Sequence, residues 1–150
     1  MIPLSKLQEQ QRELVMAARA ARRHAHAPYS GFRVGAAVRA RNGDIFSGCN
    51  VETISFGAGI CAERGAILHA ASQGLRPGQL LAVAVYTRSV QITPPCGMCL
   101  QVLQEFAKDP EVLLANAKGT RVLRLRQLLP LPFSPFDDVP EIERSSSPKK

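Results

Sequence analysis

The sequence predicts a three-layer α/β/α domain built on a single mixed five-stranded sheet. Helix-period and strand-period segments follow one another as helix, hairpin, helix, strand, helix, strand, strand. Residues 80–87 form an almost unbroken apolar, β-branched run, the pattern of a central strand covered on both faces. A length of 150 residues suffices to close one hydrophobic core and is short for two.

Along residues 4–26 the apolar positions Leu7, Leu14, Val15, Ala18, Ala21 and Ala25 recur at helical spacing, and Pro28 is the expected stop. Residues 32–41 and 45–51 alternate on either side of Arg41-Asn42-Gly43-Asp44, a turn signal, and read as a hairpin. A second helix over 61–72 places Ile67, Leu68 and Ala71 on one stripe and ends near Gly74. A third opens near Cys96, after Pro94-Pro95, and carries Val102, Leu103 and Phe106 inward until Asp109-Pro110. Short strands are expected at 112–115 and 121–125, followed by a Pro-rich segment at 128–140. The domain is placed at residues 1–143, with 144–150 expected to be a disordered tail.

No apolar stretch approaches the roughly 20 residues of a membrane span, so no membrane association is expected. The start, Met1-Ile2-Pro3-Leu4-Ser5-Lys6, lacks the features of a secretory signal, and the cytoplasm is the expected location. The formal charge of +7 raises the question of nucleic acid. Arg12, Arg19, Arg22 and Arg23, however, lie on a helix whose other side is apolar, without interleaved aromatics for base stacking. A solvated basic surface and no nucleic-acid partner are expected.

In a reducing compartment Cys49, Cys61, Cys96 and Cys99 read as metal ligands or core residues rather than disulfides. Cys61-Ala62-Glu63 and Pro95-Cys96-Gly97-Met98-Cys99 both fall at expected helix starts, where free amides and positive potential favour thiolates. Cys96 and Cys99 can converge on one zinc ion with Cys61 as third ligand, leaving a coordination position open. Cys49 could close that position, but fits better as a small core residue. Glu63 is turned about 200° from Cys61 on an ideal helix, so it suits a partner for water better than a ligand. An acidic residue at a helix start is also common for dipole reasons alone. Arg64 and the two helix ends are the positive groups available to offset three thiolates.

Cys-Ala-Glu joined to Pro-Cys-x-x-Cys about thirty residues on matches the zinc deaminase signature. With Tyr29-Ser30-Gly31-Phe32-Arg33-Val34-Gly35-Ala36-Ala37 and Phe46-Ser47-Gly48-Cys49-Asn50-Val51-Glu52, the chain resembles the small homotetrameric cytidine deaminases from about Leu14 to Asp137. The resemblance implies the cytidine deaminase-like fold, one Zn2+ per subunit on Cys61, Cys96 and Cys99, and active sites shared within a homotetramer. It also implies hydrolytic deamination of free cytidine and deoxycytidine in pyrimidine salvage. Glu63 would take a proton from the attacking water, which adds to C4, and deliver it onward; protonation at N3 and, by the water's second proton, at the leaving amino group would release ammonia. Asn50 and Glu52 would hold the ribose 3′-hydroxyl, a role their two-residue spacing on one strand face also allows. By resemblance Phe32 packs on the pyrimidine, the Ala62 amide and the Pro95 carbonyl orient the base edge, and Phe133 reaches a neighbouring subunit's pocket.

Three positions depart from the pattern. Phe56 stands where many members carry Tyr, Gly65 where a larger residue is usual, and Leu100 where Arg is common, which puts salt links between subunits in doubt. The sequence leaves two other readings open. Blasticidin S deaminase also pairs Cys-Ala-Glu with Pro-Cys-Gly-x-Cys, although Asn50 and Glu52 favour an unmodified ribose. A non-catalytic zinc or nucleic-acid-binding module would use the same cysteines with a closed metal site.

Overall fold

The computed structural model describes residues 1–133; the sequence expectations for 134–150, including the domain boundary and the tail, lie outside the described residues. Five strands, β1 (Gly35–Ala40), β2 (Ile45–Cys49), β3 (Leu80–Tyr86), β4 (Glu111–Asn116) and β5 (Gly119–Arg124), form one sheet in the order β2-β1-β3-β4-β5. Only the β3–β4 pair is parallel, and it is joined through α3 (Gly97–Phe106). The other neighbours are antiparallel, so the sheet is mixed, as the sequence predicts.

Strand alternation divides the core between two faces. Ala37, Ala84, Tyr86, Leu113 and Ala115 point to α1 (Glu9–Ala21) and meet Leu14, Val15 and Ala18. Ala36, Val38, Val83, Val85, Val112 and Leu114 point to the other side and meet Ala66, Ile67 and Ala70 of α2 (Ala62–Ser72) with Leu100 and Leu103 of α3. Two glycines set how closely the helices approach. A Cβ on Gly35 would lie 2.1 Å from the Ala18 carbonyl of α1, and one on Gly48 would lie 2.4 Å from the Ala66 nitrogen of α2.

Several boundaries differ from expectation. The first helix is not continuous: a 3₁₀ turn at Leu4–Lys6 leads into extended Leu7, and α1 gives way at Arg22 to a second 3₁₀ turn ending at His24. The chain leaves the helix before Pro28 because His26 pairs with the 50–52 segment, donating to the Asn50 carbonyl at 3.0 Å. The second hairpin strand stops at Cys49, so Asn50 and Glu52 lie just beyond it. On α2 the buried stripe is Ala62, Glu63, Ala66, Ile67 and Ala70, and Leu68 is 59% exposed. Small side chains sit inside here because β2 packs so close, which leaves the bulkier Leu68 facing out. A short α4 (Leu125–Leu128), anchored by fully buried Leu125, also lies between the last strand, which ends at Arg124, and the segment read as Pro-rich.

Candidate active site

Cys61 is the N-cap of α2 and Cys96 the N-cap of α3, and Cys99 follows in the first turn of α3. Neither cap has a side-chain hydrogen bond, so the amides of both helix starts add positive potential around the sulfurs. All three sulfurs lie within 4.8 Å of one another. The Cys61 and Cys96 Sγ atoms are 3.8 Å apart, and those of Cys96 and Cys99 are 3.6 Å apart. Tetrahedral coordination at a Zn–S distance of about 2.3 Å requires sulfurs about 3.8 Å apart, so the donor set fits zinc in both chemistry and spacing. Cys49, half-buried at the end of β2, is not part of this cluster.

Cys61 interacts with both other cysteines of the cluster and with Arg64. Its thiol is held down to about 5, chiefly by a hydrogen bond from Cys99 and against the cost of burial, with Arg64 adding to the effect. The same hydrogen bond, together with burial, pushes the Cys99 thiol up. The Arg64 guanidinium is in turn held in its charged form first by Cys61. Its Nε is buried without a hydrogen-bond partner among the described residues.

Glu63, the second residue of α2, is 4% exposed. Burial raises its carboxyl above the usual carboxylate range, and the nearby Cys61 charge adds to this. A carboxyl so placed is a candidate for exchanging protons with water held at the cluster.

A cleft of about 400 Å³ opens beside the cluster, and its walls include Phe32, Asn50, Glu52, Ala62, Glu63 and Arg64 together with Cys61 and Cys96. Ala62 is the first residue of α2, so its amide is one of the helix's free donors. Pro95 is buried and does not line the cleft; Thr93 and Pro94, which the sequence reading passed over, do. Their only signal in the sequence is adjacency to the Pro-Cys-x-x-Cys stretch.

The walls around the ribose candidates are held by those residues themselves. The Asn50 Oδ1 accepts from the Val34 amide at 2.8 Å, and its Nδ2 donates to the Phe32 carbonyl at 2.8 Å. The Glu52 carboxylate accepts from the Tyr29 amide at 2.9 Å, the Ser30 amide at 3.2 Å and the Ser30 hydroxyl. The Ser30 hydroxyl and the two amides hold the Glu52 carboxyl below its ordinary range. Phe56, at the rim, meets Tyr29 edge to face with ring centroids 5.6 Å apart. Gly65 lies against the backbone of β2, its Cβ position 3.4 Å from the Cys49 carbonyl, and Leu100 is buried in the core between α3 and the sheet.

Phe133 is elsewhere. Its ring is 72% exposed and does not line this chain's cleft. Its backbone is fixed by Gln101 of α3, which donates to the Phe133 carbonyl at 2.8 Å and accepts from the Phe133 amide at 3.0 Å. No sequence pattern pointed to Gln101.

A profile of the cytidine and deoxycytidylate deaminase zinc-binding region matches residues 8–115. A cytidine deaminase from Halalkalibacterium halodurans is 39% identical over 126 residues, 83% of this chain and 94% of that protein. The crystal structure of a cytidine deaminase from Burkholderia pseudomallei superposes with a TM-score of 0.79 at 43% identity, covering 85% of this chain and 100% of that one. A blasticidin-S deaminase from Bacillus cereus is 31% identical over 108 residues, 67% of this chain and 76% of that protein.

Proposed function

Because the chain belongs to the cytidine and deoxycytidylate deaminase family, we propose that it catalyses zinc-dependent hydrolytic deamination of cytidine and deoxycytidine to uridine and deoxyuridine, with release of ammonia. The observation that carries this reading is three sulfurs at zinc spacing on two helix starts, with buried Glu63 beside them at the wall of a nucleoside-sized cleft.

Cys61, Cys96 and Cys99 hold the ion, and Arg64 offsets their charge. Bound zinc supplies a Lewis acid that makes water a competent nucleophile at neutral pH. Glu63 removes a proton from the attacking water as oxygen adds to C4 of cytosine. It delivers that proton to N3, then takes the second from the hydroxyl added at C4 and hands it to the departing amino group, so that a C–O bond forms, the C–N bond breaks and ammonia leaves. The Ala62 amide orients the base edge, and Phe32 covers the ring. Asn50 and Glu52 take the ribose 3′-hydroxyl with the hydrogen-bonding capacity left over from bracing the 29–34 segment.

The same reading places the enzyme in pyrimidine salvage in the cytoplasm, where three reduced thiols persist. No helix among the described residues is long and apolar enough to cross a membrane. A homotetramer is supported by apolar side chains that this chain leaves uncovered, Leu68, Met98, Leu131 and Phe133 among them.

Ultraviolet assays of the zinc-loaded protein with cytidine and with blasticidin S test the proposal. Turnover of cytidine that disappears in Glu63→Gln is expected. Faster turnover of the antibiotic, or release of ammonia by neither substrate, overturns it.

A further inference from the structure

On the face of the sheet opposite the cleft, Arg19, Arg22, Arg23 and Arg88 line a concavity of about 430 Å³ floored by Tyr86. The first three come from the end of α1 and the 3₁₀ turn after it, and Arg88 follows β3. Arg19 lies over the Tyr86 ring, 5.8 Å from its centroid, and Arg22 is oriented by donating through Nε to the Arg33 carbonyl at 2.9 Å. The two surfaces are back to back: Val85 lines the cleft, and Tyr86, the next residue of the strand, lines the arginine concavity.

Nothing acidic balances these charges among the described residues. Ion pairs there join Arg39 to Glu13 and Arg126 to Asp109, and no carboxylate lines the concavity. Burial, and then the charge of Arg88, lower the Arg22 guanidinium from its ordinary value. Like charges are thus gathered at a cost that solvent relieves only in part.

We propose that this concavity is a binding site for a small polyphosphate, carried either as a free polyphosphate or as the phosphate chain of a nucleotide. Guanidinium groups pair with phosphate oxygens through two parallel N–H bonds, and four around one hollow match several closely spaced negative charges better than one. The volume lies within the range of small-ligand pockets. A nucleic-acid strand is a poorer fit, because Tyr86 is 6% exposed and offers no open face for base stacking. The inference does not depend on the deaminase reading.

Calorimetric titration of the full-length, zinc-loaded protein at about 0.15 M salt, where long-range attraction is screened, tests it with tripolyphosphate, ATP and a single-stranded oligonucleotide. Saturable binding of tripolyphosphate or ATP at one site per chain is expected. Arg88→Ala, which removes an exposed side chain without hydrogen bonds among the described residues, should weaken binding at least tenfold. Arg12→Ala, which removes the same charge from α1 outside the concavity, should leave it unchanged. Equal affinity for the two ligands identifies a free polyphosphate as sufficient, and tighter ATP binding assigns the nucleotide. Absence of binding, equal losses in both variants, or preference for the oligonucleotide overturns the proposal.

Discussion

The side chain of Gln101 pairs with both the amide and the carbonyl of Phe133, 32 residues further along the chain, as a neighbouring strand would. The backbone is fixed while the ring stays 72% exposed. Gln101→Ala removes two hydrogen bonds worth about 1 kcal/mol each, and the KM for cytidine is expected to rise by roughly 3- to 10-fold with kcat and zinc content little changed. Phe133→Ala should have a similar effect, and the double variant should be no worse than the more affected single one. Additive losses, or a change in melting temperature without one in KM, would show that the pair only ties down the chain.

Glu63→Gln keeps the shape of α2 and all three sulfurs but removes the carboxyl proposed to carry the proton. Metal analysis should show one zinc per chain, as in the wild type, while kcat falls by about 10²- to 10⁴-fold. Loss of zinc in this variant would instead make Glu63 part of the metal's holding.

Gly48→Ala tests whether the site depends on the close approach of β2 and α2. The added methyl would sit 2.4 Å from the Ala66 nitrogen and 2.8 Å from the Ala62 carbonyl, so α2 must shift and carry Cys61 with it. Overpacking of this kind costs about 1–3 kcal/mol. A lower unfolding midpoint together with zinc below one equivalent is the expected result.

The Glu52 carboxyl is held below its ordinary range, first by the Ser30 hydroxyl and then by the Tyr29 and Ser30 amides. A depressed acid contributes stability that is present above its unfolded pKa and lost as the pH falls through the folded one. The difference in melting temperature between the wild type and Glu52→Gln should therefore be largest near neutrality and shrink below the ordinary carboxylate range. A constant difference across that range would show that charge on Glu52 does not hold the 29–30 segment.

Chelation should abolish activity, with zinc restoring it, whereas Cys96→Ala should not recover on zinc addition. Both follow from the two helix starts sharing one donor set.

The sequence made the metal chemistry legible because cysteines at helix starts leave a mark in local spacing. The sheet was legible for a similar reason, since the β-branched run at residues 80–87 fits a covered strand and the turn at Asn42-Gly43 marks the hairpin. The stripe of α2 was not. Its buried face consists of alanines, one isoleucine and the catalytic candidate Glu63, so hydrophobicity pointed to Leu68, which faces outward. Contacts between distant segments left no periodic trace either. That Asn50 braces the Phe32–Val34 backbone, and that Gln101 grips Phe133, depends on where the fold brings separate loops together.

Gln101 stands two residues after Cys99 on α3, so the helix that helps hold the metal also carries the anchor of the exposed Phe133 ring. In an assembly whose subunits lend one another that ring, an unloaded chain would disturb its own chemistry and also a neighbour's. Activity regained during stepwise zinc repletion would then lag behind metal occupancy and curve upward, because a productive centre needs two loaded chains rather than one.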